Sequence, residues 1–568
     1  MLNLPLDPTD DRAKPAFKDA ASCAQWLGQL QLTNLHAAHG VLRTQLDEFN
    51  HYPMRGLERL RTLELLRESV AHLQTDYARK LTARKLPLSE EEFTILVCIT
   101  ALWQLMVSGY QRCLQSLLAG DKQLLPYSSM LCQRCLLYTS LQIFECLRSG
   151  YEFEGKLWQQ LHTLYAFCEQ QGLQMEEISL MKELHSLYGI SQKEASKLID
   201  LADRHHSNSA SCHTIYVKTL LTSHAYPGEI SRSQSQLLDR WLLRWSATIP
   251  LEHSYTISQG DAPPLAVDLT SARGLQAASQ ISTAQSQAND DDKVRYLAMV
   301  PVSKLLRVKT ILLQQGQSPQ QLELGDGCNS ADCAELLEFL HRRWCEKFGE
   351  RVPSRRSVEI KARVCYGLED IYAHIANKPF RLQTKDIGTD SLARKQIATF
   401  GRVLSEDSRQ GLSELGLALE VWQMEDVSIL GARMLRDGTA GARIGLSQIV
   451  AVRPANTDAC MLGTISWVQV TLTGQLSVGV RYLPGVARAV VISATGVGPT
   501  ASGNSAAALL LPAVPELKIP SSLVIPHDWF TAGRVIEIAR LDNQKQKVKM
   551  ELSVEAGLDY ERIGFTPA

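Results

Sequence analysis

The chain has 568 residues, 45% of them hydrophobic and 21% charged, with a formal net charge of −1. That length exceeds what one core supports and calls for roughly two to four domains of ordinary globular composition. A near-neutral balance excludes a global field that would gather nucleic acid or anionic membrane, so any anion site must be local.

Thirteen cysteines are scattered without a framework. The opening Met1-Leu2-Asn3-Leu4-Pro5-Leu6-Asp7 has neither the basic nor the apolar stretch of a secretory signal, so reduced thiols and a cytoplasmic location are expected.

Residues 16–250 read as all-helical. Leu57, Leu60, Leu63, Leu66, Val70 and Leu73 recur at steps of three and four, which makes one apolar stripe on a long helix. Phe93–Gln111 is the longest uncharged run and just long enough to cross a bilayer. Ser89-x-x-Glu92 in front of it is a capping box, and Thr94, Thr100, Gln104 and Ser108 interrupt it. A buried bundle helix is therefore expected rather than a membrane span. Leu157, Leu161, Leu164 and Cys168 form a second stripe stopped near Gly172, and Ser191-x-x-Glu194 opens a further helix. Such a bundle packs on itself or serves as a platform for a protein partner.

Three apparent sites in this half carry little weight. Cys132-x-x-Cys135 has no second pair at zinc spacing and reads as structural thiols inside a helix. Asp203, His205, His206, Cys212 and His213 could hold a metal and with it an enzyme activity, but they read as a solvated loop with no element to fix their geometry. His162 reads as a packed or surface residue.

Residues 251–349 read as linker and connector helices. A strand-like piece, Pro264–Leu269, precedes the Ala-, Ser- and Gln-rich tract Leu275–Asp291, which is too polar to offset its ordering entropy and reads as flexible. Helices are expected over Val302–Gln315 and after Asn329.

Then comes R-x-x-x-R at Arg351 and Arg355, in a stretch (351–363) with four Arg and one Lys against a single Glu. Planar guanidinium forks suit phosphate oxygens. Strands are expected at Glu359–Tyr366, Leu417–Gln423, Ala432–Leu435, Gln448–Val452, Leu462–Leu472, Gln475–Leu483 and Ala487–Ser493. A helical excursion (Leu368–Ile375, Ser391–Leu404) follows the first of them. Short strands with Gly-marked turns imply a small antiparallel barrel. Within it lies Asp426-x-Ser428-x-x-Gly431. Asp and Ser at i and i+2 of an extended chain face the same way, and Gly lets the chain turn or a ligand approach the backbone. Arginine forks with a carboxylate–hydroxyl pair suit an anionic ligand with donor-rich edges, such as a nucleotide.

These two motifs, with the closing strand Leu476-Ser477-Val478-Gly479-Val480-Arg481-Tyr482-Leu483, resemble the PilZ family of cyclic di-GMP receptors over residues 350–495. The helical half, including Leu161-His162-Thr163-Leu164-Tyr165-Ala166, is similar to the N-terminal region of larger bacterial PilZ-containing proteins. The resemblance implies a PilZ-like β-barrel with cyclic di-GMP as ligand. Separately, no Ser/His/Asp or Cys/His set has supporting spacing and no P-loop is present, so no catalysis, cofactor or metal is expected. The resemblance places Arg351 and Arg355 on a flexible segment that wraps over the ligand and contacts its phosphates and guanine edges. Asp426 and Ser428 would hydrogen-bond guanine, and Gly431 would keep the strand-to-turn path clear. The chain departs from the family in the insertion after Gly367 and in Pro353 and Arg356, which stiffen the arm and blur its register.

Residues 506–568 read as a small C-terminal β-module, with Val535, Glu537 and Ala539, then Val548, Met550 and Leu552, alternating across a turn at Asp542-Asn543. Gly496–Gly503 has no following Lys-Ser or Lys-Thr and reads as a linker rather than a phosphate loop. The fold class expected is multidomain α+β. The function expected is a cyclic di-GMP-binding signalling protein that passes ligand occupancy to a protein partner through the helical region. The alternative is a ligand-free PilZ-like adaptor acting only through protein contacts. Neither DNA nor RNA is expected as a partner.

Overall fold

A computed structural model describes residues 6–568 except 32, 82–84, 180–185, 189–209, 226, 257, 259–260, 286–292, 326, 347–355, 381–418, 440, 456, 458–459, 496–504 and 543. The chain forms two units, residues 1–83 with 88–348, and residues 84–87 with 349–568.

The first unit is built on helices α1 (Ala20–Gln29), α2 (Leu35–His51), α3 (Gly56–Ala78), α4 (Glu90–Leu118), α5 (Ser128–Arg148), α6 (Lys156–Gln170), α7 (Cys212–His224), α8 (Arg232–Trp245), α9 (Ala278–Gln285), α10 (Val300–Gln314) and α11 (Ser330–Cys345). On α3, Leu60, Leu63, Leu66, Val70 and Leu73 are fully buried and Leu57 partly so, as their spacing requires. The capping box of α4 forms: Glu92 N donates to Ser89 Oγ (3.2 Å) and Ser89 N to Glu92 Oε2 (2.9 Å). Among the described residues α4 is the one helix long and apolar enough to cross a membrane, and half of its most apolar stretch is buried. It packs against α2, α3 and α5.

A charged cluster lies inside this bundle. Glu64 of α3 accepts from Arg67 Nη1 (2.6 Å), Arg134 Nε (3.0 Å) and Tyr110 Oη (2.7 Å). Burial alone would push the Glu64 pKa up, but the two guanidiniums and the Tyr110 hydrogen bond outweigh it and hold the group at about 2. Cys132 and Cys135 are buried, free thiols of α5. Cys212 and His213, read from sequence as loop, form the buried first turn of α7, capped by Ser211. His213 bonds the Ile249 carbonyl through Nε2 (2.9 Å). Asp203, His205, His206 and the helix expected after Ser191 lie outside the described residues. His162 is packed, its ring bonded to Tyr216 Oη (2.7 Å) and to the Arg273 carbonyl (2.8 Å).

The tract expected to be flexible is ordered over its described part. Strands β2 (Leu251–Glu252), β3 (Leu265–Asp268), β4 (Gln276–Ala277) and β5 (Val294–Leu297) form one sheet in the order β2-β5-β3-β4. Ala278 and Ile281 of α9 bury against Ala266 and Val294 of that sheet. A few well-placed apolar side chains suffice because a preformed sheet receives them, which composition alone does not reveal. Cys328 and Cys333 form a disulfide across the start of α11, their Cα atoms 6.2 Å apart, so the all-thiol expectation is corrected for that pair. The other eleven cysteines are free.

The second unit contains two closed six-stranded antiparallel barrels. The first comprises β6 (Arg356–Tyr366), β7 (Glu420–Ser428), β8 (Gly431–Asp437), β10 (Ile449–Pro454), β11 (Met461–Val470) and β12 (Gln475–Tyr482). The short β9 (Ile444–Gly445) pairs with β1 (Lys85–Leu86), a strand contributed from the N-terminal half of the sequence. The second barrel comprises β13 (Arg488–Ala494), β14 (Ser505–Leu511), β15 (Ser522–Ile525), β16 (Val535–Arg540), β17 (Lys545–Ala556) and β18 (Glu561–Pro567). With the strands of each barrel counted in sequence order, both run 1-2-3-6-5-4 around the barrel and back to the first. The two barrels thus share one topology.

The strand expected over Ala487–Ser493 in the first barrel is β13, which pairs with β14 and β16 and so belongs to the second. Its apolar alternation fits either sheet, and only the pairing assigns it. Helix α12 (Leu368–Ala376), the described part of the excursion after β6, packs against β6, β10, β13 and β14. Leu368, Ile371 and Tyr372 join Ile449, Leu462, Leu509 and Tyr560 in one apolar core shared by both barrels.

Candidate functional site

The D-x-S-x-x-G stretch forms the β7–β8 hairpin. Glu425 and Asp426 interrupt the apolar alternation that marks the strand in sequence, yet β7 continues through them to Ser428. Ser428 pairs with Gly431 across a two-residue turn, Ile429-Leu430, whose side chains are 84% and 58% exposed. The turn is tied to β12 by Tyr482 N donating to the Leu430 carbonyl (2.9 Å). Ser428 Oγ donates to the Gly431 carbonyl (3.3 Å), which leaves the hydroxyl oxygen able to accept.

Gly431 is required for a closer reason than the turn. A Cβ there would lie 2.1 Å from the Val480 carbonyl oxygen of the adjacent strand. The residue lets β8 approach β12, which no side chain permits.

Residues directly opposite in a ladder share a face, so the register defines the surface around Asp426 and Ser428. A bulge at Glu425 precedes the motif, and the pairs Asp426–Arg433, Val427–Ala432 and Ser428–Gly431 then follow without a shift. Across the next strand Arg433 opposes Gly479 and Gly431 opposes Arg481, and beyond that Gly479 opposes Trp467. Ala432, Met434, Val478 and Val480 are buried and fill the barrel. The alternate residues are therefore outside: one row runs Asp426, Arg433, Gly479, Trp467, and the next runs Ser428, Gly431, Arg481.

The Trp467 indole lies across Gly479, where an added Cβ would come within 2.0 Å of Nε1. Arg433 Nε pairs with Glu425 (2.9 Å). Arg481 Nη2 pairs with Glu555 Oε1 of β17 (2.5 Å). None of Arg433, Trp467, Arg481 and Glu555 stood out as a site residue in the sequence. Arg481 lay within the closing strand, and only strand register brings it beside the motif.

Arg351 and Arg355 lie outside the described residues. The described chain begins again at Arg356, which is opposite Val427, with Ser357 opposite Asp426. The strand following the arginine pair therefore runs alongside the carboxylate–hydroxyl face.

The far end of the barrel is structural. Glu420 accepts from Tyr366 Oη and Trp422 Nε1 (each 3.2 Å) and from the Ala442 amide (2.6 Å), and also pairs with Arg436. It begins the strand that Ser428 ends, so about 25 Å separates this cluster from the hairpin tip. The second barrel has no equivalent motif. At the matching end of its second strand stand Leu509, Leu510 and Leu511, and Leu509 and Leu511 are committed to the shared core. Among the described residues no group of three or more His, Cys, Asp or Glu is placed to hold a metal ion.

Residues 21–255 match the family model of the N-terminal domain of the cyclic-di-GMP receptor FimW, and residues 494–568 match that of the FimW C-terminal beta-barrel domain. Both ends of the chain match one receptor family. That family is described by the ligand it receives, a binding rather than a catalytic role. Its ligand is the one implied by the two motifs between the matched segments. No curated protein matches the chain.

Proposed function

We propose that the chain binds cyclic di-GMP on the outer face of the first barrel, as a PilZ-like domain, and passes that state to a protein partner. The observation that carries this reading is the register at the start of β6. Arg356 and Ser357 lie opposite Val427 and Asp426, and Arg355 is bonded directly to Arg356. The arginine pair immediately precedes, in sequence, the strand that runs beside Asp426 and Ser428. A carboxylate and a hydroxyl oxygen accept from the donor edge of guanine, while guanidinium forks take the phosphates. Trp467 adds an aromatic surface in the Asp426 row.

The receptor-family matches on either side of this barrel support the ligand. A partner-docking role for the helical unit is supported by Phe93 and Val97, which lie one turn apart on α4 and are both exposed. We place the protein in a reducing, cytoplasmic setting, which eleven free cysteines favour and the single Cys328–Cys333 disulfide does not.

Calorimetry of the full chain with cyclic di-GMP tests the reading. Binding by the wild type, weakened about tenfold or more in Arg355→Ala and in Asp426→Ala, is expected for charge-assisted contacts. No binding by the wild type overturns it.

A further inference from the structure

We infer that Arg481 is a further phosphate-contacting residue of this site, and that Glu555 of the second barrel holds it in the unliganded protein. The inference rests on the reading of the outer face given above and adds both a residue and a means of transmission. Arg481 stands directly opposite Gly431, which itself stands opposite Ser428, so the three form one row across adjacent strands. Gly431 contributes no side chain between the other two. Two strand spacings of about 4.8 Å each separate Arg481 from Ser428, so a ligand lying over Gly431 is within reach of both the arginine fork and the hydroxyl.

The side chain is half exposed and points to Glu555 instead (2.5 Å). Glu555 lies at a register shift in β17, where the extra residue changes the course of the strand. Its Oε1 also accepts from Tyr560 Oη (2.7 Å). Loss of Arg481 would therefore leave Glu555 hydrogen-bonded and solvated rather than stranded.

A half-exposed ion pair contributes little, whereas a guanidinium on a phosphate makes a bidentate, charge-assisted contact. A ligand phosphate can consequently take Arg481 from Glu555. The first barrel then loses one tie to the second, and occupancy at the hairpin becomes a change in how β17 is held. Linkage requires the reverse as well: weakening the tie must strengthen the ligand.

The test is calorimetry with cyclic di-GMP on the wild type, Arg481→Ala, Glu555→Gln and the double variant, with folding checked by thermal melting. Arg481→Ala is expected to weaken binding about tenfold and Glu555→Gln to tighten it about threefold. The double variant should match Arg481→Ala. Wild-type affinity in Arg481→Ala overturns the inference while leaving the site reading intact. Unchanged or weakened binding in Glu555→Gln overturns the holding role, and because Gln keeps the shape of Glu this arm decides even if Arg481→Ala misfolds. Absence of binding by the wild type overturns the site reading itself and this inference with it.

Discussion

Ser357 of β6 stands directly across the ladder from Asp426 of β7. This pairing crosses the long insertion and sets the strand that begins at Arg356 beside the Asp426 motif.

The pairing also bears on the arginine register. Arg355→Ala is expected to weaken cyclic di-GMP binding about tenfold to a hundredfold, and Arg351→Ala similarly. Arg356→Ala, already in the strand and opposite Val427 rather than Asp426, should cost less than about threefold. Parallel titrations of the three variants check this, and equal losses for Arg355 and Arg356 would count against it.

Gly431→Ala should act on the fold before it acts on the ligand. The added Cβ would meet the Val480 carbonyl at 2.1 Å, and backbone has no rotamer by which to move aside. A destabilisation of about 1–3 kcal/mol is expected, in the range of overpacking. Urea unfolding of the variant should show a lowered midpoint with or without ligand.

The Glu64 cluster should be intolerant of losing its single carboxylate. Glu64→Gln leaves Arg67 and Arg134 buried without the charge they share, and about 3–5 kcal/mol of stability is expected to go. Ligand affinity of whatever remains folded should not change, because Glu64 belongs to the helical unit. Thermal melting and calorimetry on the same sample separate the two.

Acid should weaken the helical unit in two stages. His162 and His224 are each lowered by burial to about 4. A lowered folded pKa means the unfolded chain takes the proton first, so their contribution is present above about 6.5 and is lost as pH falls towards 4. Glu64, held at about 2, adds a contribution present above about 4.5 that falls away between there and 2. Urea midpoints measured from pH 7 to pH 3 should decline throughout. His162→Gln should flatten the upper part of that decline if it folds, and a midpoint independent of pH between 7 and 4 would contradict the assignment.

Sequence by itself determined the helical character of the first half. Leu60 to Leu73 at helical spacing can bury on one side only, and Ser89 with Glu92 satisfies amides that otherwise lack partners. It also determined which residue types an anionic, donor-edged ligand would require, because Asp426 and Ser428 two apart on a strand must share a face. Tertiary structure alone decided what surrounds them. Arg433, Trp467 and Arg481 come from strands 5 to 53 residues beyond Ser428 and meet it only through register. The same is true of β13, whose alternation suits either barrel, and of α9, whose Ala and Ile are buried only because a sheet stands ready to receive them. Periodicity records which side of an element is apolar, whereas pairing between distant strands depends on closing the barrel, a condition that no local stretch of chain contains.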